Sequence, residues 1–261
     1  MPPTSPVLGV SNNPLFLACI NGDVALTSSL LSGSSLEVNE WTATGASALH
    51  HACIGGSAEC VALLLANGAD HDHADHEGLT PLHCACVRGH AACCAALLDR
   101  SAIDTRDANG VSALHMACFK GHARCVELLL ASQRMPGYVD DPDCNGVNAL
   151  SYAAMGGHAT CLQALLARGA ALPAGVVPND GDNGGETAPL TALAYAHRGG
   201  HRECVNLLVA AEVGRSRADE AVRRRDQRRS PSPLPPSPPA VATAEEKVEV
   251  RPPRKLCPCM P

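Results

Sequence analysis

The sequence predicts an all-α solenoid of stacked helix–turn–helix units, and three observations carry that prediction. A leucine recurs in one register, as Leu15, Leu49, Leu82, Leu114, Leu150 and Leu193, at steps of 34, 33, 32, 36 and 43 residues. A glycine follows each of them seven residues later, as Gly22, Gly56, Gly89, Gly121, Gly157 and Gly200. A cysteine stands four residues beyond five of these glycines (Cys60, Cys93, Cys125, Cys161 and Cys204), and a leucine pair such as Leu64-Leu65 or Leu97-Leu98 closes each of those units. Self-similarity at such a period marks an array whose units bury their apolar faces only against one another.

Residues 79–98 show why the unit is a helix pair. Thr80 caps a first helix, and Pro81 fits its first turn, where no amide donor is needed. Gly89 ends that helix because a residue without Cβ enters the left-handed conformation. A second helix then carries Cys93, Leu97 and Leu98 along one face at near-helical spacing.

Thr80-Pro81-Leu82-His83, with its variants Ser47-Ala48-Leu49-His50, Ser112-Ala113-Leu114-His115 and the weaker Asn148-Ala149-Leu150-Ser151, resembles the signature of the ankyrin repeat family. Asn67-Gly68-Ala69-Asp70 and Arg168-Gly169-Ala170 are similar to its turn motif. The resemblance covers residues 13–211 in about six repeats. It implies two antiparallel helices per unit joined to the next by a β-hairpin loop, and no particular chemistry.

Composition fits that reading. With two Phe, three Tyr and one Trp, the interior must be built from Leu, Val, Ala and Cys. Fourteen cysteines raise the possibility of a disulfide framework. Their register argues against it: Cys19, Cys53, Cys86 and Cys118 share one helix position, and Cys60, Cys93, Cys125, Cys161 and Cys204 another. Equivalent sites in successive layers are too far apart for bridging, so cysteine serves as a small hydrophobe in a reducing compartment, cytoplasmic or nuclear. No apolar run is long enough for a membrane span, and the first residues lack the charge and apolar core of a secretory signal.

Along the chain, residues 1–12 read as disordered, and the first repeat, from Asn13, as a cap. Extra residues at 133–141 fall between a helix and the next signature. An insertion at 172–189 reads as a flexible acidic loop rather than a calcium site, because counting from Asp180 puts Gly184 fifth and Thr191 twelfth, where ligands are required. Beyond Ala211 the composition changes. Residues 212–261 carry 11 Lys+Arg against 7 Asp+Glu (+4), whereas residues 1–211 carry 9 against 19 (−10). Residues 215–229 are compatible with a helical extension, and the Ser-Pro run 230–239 ends it; residues 212–261 are expected to be a charged, Pro-rich disordered tail.

Three clusters invite a chemical reading. His71-Asp72-His73-Ala74-Asp75-His76-Glu77 alternates metal-binding side chains, but no closed set of four ligands stands at a recognised spacing, and a polar hairpin is the simpler account. Cys84 and Cys86 point to opposite sides of one helix. Cys257-Pro-Cys259 is a bare pair open to weak metal binding, oxidation or acylation. Histidines that recur once per repeat, His50, His83 and His115 and then His90, His122, His158 and His201, match a need of every layer rather than of one active site. Phosphate-binding, nucleophile-elbow and zinc-protease motifs are absent. The expectation is a non-enzymatic protein that uses no cofactor, metal, small-molecule substrate or nucleic acid.

The resemblance implies that partners meet the hairpin tips and the inner face of the first helix. Carried over residue by residue, it implicates His76, Glu77, Leu79, Val87 and Arg88. In the next repeat it implicates Ala108, Asn109, Val111, Phe119 and Lys120, then Asn145, Val147 and Met155. Phe119, Lys120 and Arg88 are the expected anchors, since aromatics and Arg are enriched at binding hot spots. The acidic array favours a partner with a basic patch. Two alternatives stay open: an adaptor acting through its Arg- and Pro-rich tail, and a metal protein using the His71–His76 loop.

Overall fold

A computed structural model describes residues 13–33, 37–100, 104–132, 138–172 and 191–229. Each repeat is a helix pair. The pairs are α1 (Pro14–Asn21) and α2 (Val24–Gly33), α3 (Ala48–Gly55) and α4 (Ala58–Ala66), α5 (Pro81–Arg88) and α6 (Ala91–Leu98). They continue with α7 (Ala113–Lys120) and α8 (Ala123–Ala131), α9 (Ala149–Gly156) and α10 (Ala159–Ala167), α11 (Ala192–Arg198) and α12 (Arg202–Arg229). First helices stack in one row, α1 on α3 and on through α11, and α2, α4, α6, α8 and α10 stack in a second. The chain divides into two units, Met1–Ala218 and Asp219–Pro261, and α1 to α11 lie in the first.

Helix ends follow the sequence signals. Gly89 closes α5 at φ +76°, its N–H reaching Ala85 O and Cys86 O. At the other end Ser47, Thr80 and Ser112 each form a reciprocal cap with the histidine three residues on. In that cap the Ser47 N–H donates to His50 Nδ1 (3.1 Å), so the ring proton sits on Nε2, which donates to Leu79 O of the next repeat (2.9 Å). His115 repeats this with Ser112 N–H (3.1 Å) and Asp141 O (3.0 Å). His83 Nε2 faces the backbone of Val111 and Thr105 without closing a well-formed hydrogen bond. Burial holds all three imidazoles below their usual value, His115 at about 4, so the capping form is neutral.

A second histidine set locks adjacent layers. His90, His122, His158 and His201 donate through Nε2 to the carbonyls of Ile54, Val87, Phe119 and Met155 one repeat earlier, at 3.3, 3.0, 3.1 and 3.2 Å. Each ring lies over the helix-ending glycine of that earlier repeat. A Cβ added to Gly89 would stand 2.4 Å from His122 Nδ1.

The core is Leu, Ala and Cys, as expected. Leu49, Leu82, Leu114 and Leu150 are fully buried, and both cysteine registers lie inside. The described cysteines are unbridged, and Cys144 alone among them is exposed. Burial pushes the Cys84 thiol up to about 12, as it does Cys19. Leu193, in the last repeat, is only partly buried.

Two features differ from the expectation. The latter part of the insertion at 133–141 joins the core: Tyr138 is buried, its hydroxyl accepts from Leu114 N–H (3.3 Å), and Arg106 holds Asp141 (2.8 Å) and Pro142 O (2.8 Å). Second, α12 runs unbroken past Ala211 to Arg229, where the sequence reading began a disordered tail. Arg215 anchors this stretch by donating to Ala170 O (3.0 Å). Residues 1–12, the insertion after Leu172, the Ser-Pro run and Cys257-Pro-Cys259 lie outside the described residues.

Candidate protein-binding surface

The hairpins that lead into the first helices are built by one aspartate each. Asp75 Oδ1 accepts from Glu77 N–H and Leu79 N–H (both 2.9 Å). Asp107 does the same for Asn109 and Val111, and Asp143 for Asn145 and Val147, all at 2.8 Å. Neighbouring tips are then joined through the backbone, His76 N to Thr44 O (3.0 Å), Ala108 N to Glu77 O (3.0 Å) and Cys144 N to Asn109 O (3.1 Å). These bonds join the tips of successive repeats into one row. Among the described residues these hairpins form no named strands, only isolated bridges at Trp41–Ser47 and Arg106–Ser112.

His76, Glu77, Ala108, Asn109 and Asn145 are exposed at the tips, and Arg88, Phe119 and Lys120 are exposed at the ends of α5 and α7. Leu79, Val87, Val111 and Met155 are half-buried and offer only part of a side chain. Val147 is a correction to the sequence reading. Its side chain is buried, unlike those of Leu79 and Val111, whose N–H groups make the same aspartate hydrogen bond. The packing around it and not the loop bond therefore sets its depth, and it presents little to a partner.

Phe119 belongs to a cluster that the repeat pattern alone did not mark. It is 40% exposed and meets the Tyr152 ring edge-on (6.1 Å between centroids, 85°), with Lys120 Nζ 5.4 Å from its own centroid. Tyr152 in turn packs on His115 (5.2 Å) and donates its hydroxyl to Asp143 Oδ2 (2.8 Å). Burial alone would raise the Asp143 carboxyl; the Val147 and Asn145 N–H groups and the Tyr152 hydroxyl outweigh it and hold the group below its usual value. The Tyr152 phenol is pushed up by burial and by that same carboxylate. Position two after the register leucine also holds Met116 and Tyr195, both half-buried. The first-helix row thus offers a partly exposed strip of Met116, Phe119, Tyr152, Met155 and Tyr195. Arg88 and Lys120 lie at its edge and form no ion pair among the described residues.

In the histidine-rich loop the side chains do not converge. His71 Nδ1 lies 3.1 Å from Asp72, His73 donates to Gly45 O (2.9 Å), and His76 projects outward. Among the described residues no three His, Cys, Asp or Glu groups converge as a metal site, and no helix is long and apolar enough to cross a membrane.

A family model for ankyrin repeats in three copies matches residues 6–75, 59–137 and 136–219. The chain belongs to the ankyrin repeat family. Its fold is similar to the crystal structure of the human ASB11 ankyrin repeat domain, with a TM-score of 0.64, 28% identity, and coverage of 77% of this chain and 84% of that one. No curated protein matches the sequence. Ankyrin repeats are in general protein–protein interaction modules rather than enzymes.

Proposed function

We propose that this ankyrin array is a non-enzymatic module that docks a protein partner on its first-helix row, anchored by Phe119, Lys120, Tyr152 and Arg88. The observation that carries the reading is the Phe119 cluster. An aromatic ring 40% open to solvent is held by Tyr152 below and a lysine alongside. Tyr152 is itself fixed by Asp143, so the surface is ordered before any partner arrives. A pre-organised aromatic and two cations that form no ion pair among the described residues give rigid contact area at low entropic cost. His76, Glu77, Asn109 and Asn145 at the tips supply the polar rim. The −10 charge of residues 1–211 favours a partner that also bears a basic patch. The buried free thiols fit a reducing compartment, cytosol or nucleus.

The test is affinity capture with the full chain, the Phe119→Ala/Arg88→Ala variant, and a chain ending at Ala218. That end point keeps the first unit and the Arg215–Ala170 bond, which a cut at Ala211 would remove. A partner lost with the double variant and kept by the shortened chain supports the array. The reverse pattern transfers the function to the Arg- and Pro-rich tail.

A further inference from the structure

Charge is distributed very unevenly along this chain. Residues 1–87 contain no Lys or Arg and eight Asp or Glu; the remaining 174 residues hold all 20 Lys+Arg and 18 Asp+Glu. Six of the eight carboxylates fall on two hairpin segments, residues 37–45 and 70–78. Those segments lie side by side. Asn39 accepts from Asp70 N–H (2.8 Å) and donates to Gly68 O (3.2 Å), and His76 N–H donates to Thr44 O (3.0 Å).

Between them stands the chain's single tryptophan. Trp41 is 62% exposed, more than any other large apolar side chain among the described residues. It stacks on the His73 ring (5.4 Å, 21°), and His73 is itself fixed by its bond to Gly45 O (2.9 Å). One indole face is therefore supported and the remainder is open. This is a rigid aromatic platform in an acidic surround, on the hairpin side of repeats two and three and away from Phe119.

We propose that this platform binds an arginine- or lysine-rich segment of a partner protein, with one cationic side chain over Trp41 and others facing Glu37, Asp70 and Glu77. Indole is the strongest aromatic acceptor for a cation, and the attraction rises when the contact is desolvated. Residues 1–87 contribute eight carboxylates and no Lys or Arg, so the field of this part of the chain acts on the incoming segment and steers its approach. An acidic segment or a nucleic acid would be repelled by the same field. The inference shares only the rim residue Glu77 with the Phe119 surface and does not depend on the anchors of that surface.

Because Trp41 is unique, its fluorescence reports on the site directly. The full chain is titrated with a synthetic arginine–glycine repeat peptide and, in parallel, with a glutamate–glycine peptide of equal length. The expected result is a saturable change in Trp41 emission with the arginine peptide alone, weakening by about threefold or more as salt rises from low to physiological strength. By anisotropy of the labelled peptide, Trp41→Ala weakens binding about fivefold. Glu37→Gln/Asp70→Asn/Glu77→Gln weakens it about tenfold, with the circular dichroism of both variants unchanged. Phe119→Ala/Arg88→Ala leaves peptide affinity as it was. An emission signal that does not saturate, equal binding of the glutamate peptide, unchanged affinity in Trp41→Ala, or loss in the Phe119 variant instead would each overturn the proposal.

Discussion

Substituting Gly89 by alanine tests how the array is locked together. Gly89 ends α5 at φ +76°, where an L-residue costs about 1–2 kcal/mol. The new methyl would also lie 2.4 Å from His122 Nδ1 and 2.6 Å from its Cε1, so the ring must move from a site where Nε2 holds Val87 O at 3.0 Å. Overpacking of this kind adds about 1–3 kcal/mol. Gly68 is the control: its φ is +83°, yet nothing lies within 4 Å of an added Cβ. Gly68→Ala should therefore cost only the backbone term, about 1–2 kcal/mol, and Gly89→Ala about 2–5 kcal/mol in all. Urea denaturation followed by circular dichroism measures both. Combining Gly89→Ala with His122→Ala should restore about 1–3 kcal/mol relative to the sum of the single losses, since the clash disappears. Equal losses at Gly89 and Gly68, or strict additivity in the double variant, would refute the idea that histidine-on-glycine contacts couple the repeats.

Three further outcomes follow from the same structure. His50, His83 and His115 are neutral in the folded chain and their pKa values are lowered, His115 to about 4, whereas the unfolded chain takes up these protons near the ordinary value of about 6.5. Their stabilising contribution is complete above about pH 6.5 and is lost as pH falls below it, for His115 down to about 4, at up to about 1.4 kcal/mol per pH unit for each histidine. Urea midpoints measured across that window should show a shallower slope for His115→Gln, and an unchanged slope would contradict the assignment. Brief alkylation of the native chain with peptide mapping should label Cys144 and spare the other eleven described cysteines, all of them buried; rapid labelling of Cys86 or Cys118 would show that the core opens. Phe119→Ala should cost only about 1 kcal/mol in thermal unfolding, while Leu114→Ala, at a fully buried position, costs about 2–5 kcal/mol, which separates the binding surface from the core.

Much of the fold was legible because it rests on local chemistry repeated in register. Thr80, Pro81, His83 and Gly89 each act within one helix, so their spacing alone placed α5, and the same holds for Ser112 through Gly121. The surface was harder to read. Phe119 and Lys120 stood out as exceptions to an aromatic-poor core, but Tyr152 and Asp143 joined them only through contacts between repeats, which spacing within one repeat does not reveal. Val147 follows Leu79 and Val111 in register and was read with them; the depth to which each hairpin residue sinks depends on the neighbouring layer. Trp41 stacks on His73 across two hairpins, so its role as a platform was likewise invisible in the sequence. Residues 215–229 were compatible with a helical extension, and α12 does run to Arg229; the Arg215–Ala170 bond that ties it to the array joins different repeats and so could not be read from spacing.

The most direct test of the central claim places a photoreactive side chain at position 119 on the first-helix row and, in a separate protein, at position 127 on α8. The account predicts that one and the same partner crosslinks from position 119 and not from position 127, and that adding Arg88→Ala lowers the yield. A partner captured equally from both positions, or only from position 127, would contradict recognition through the first-helix row.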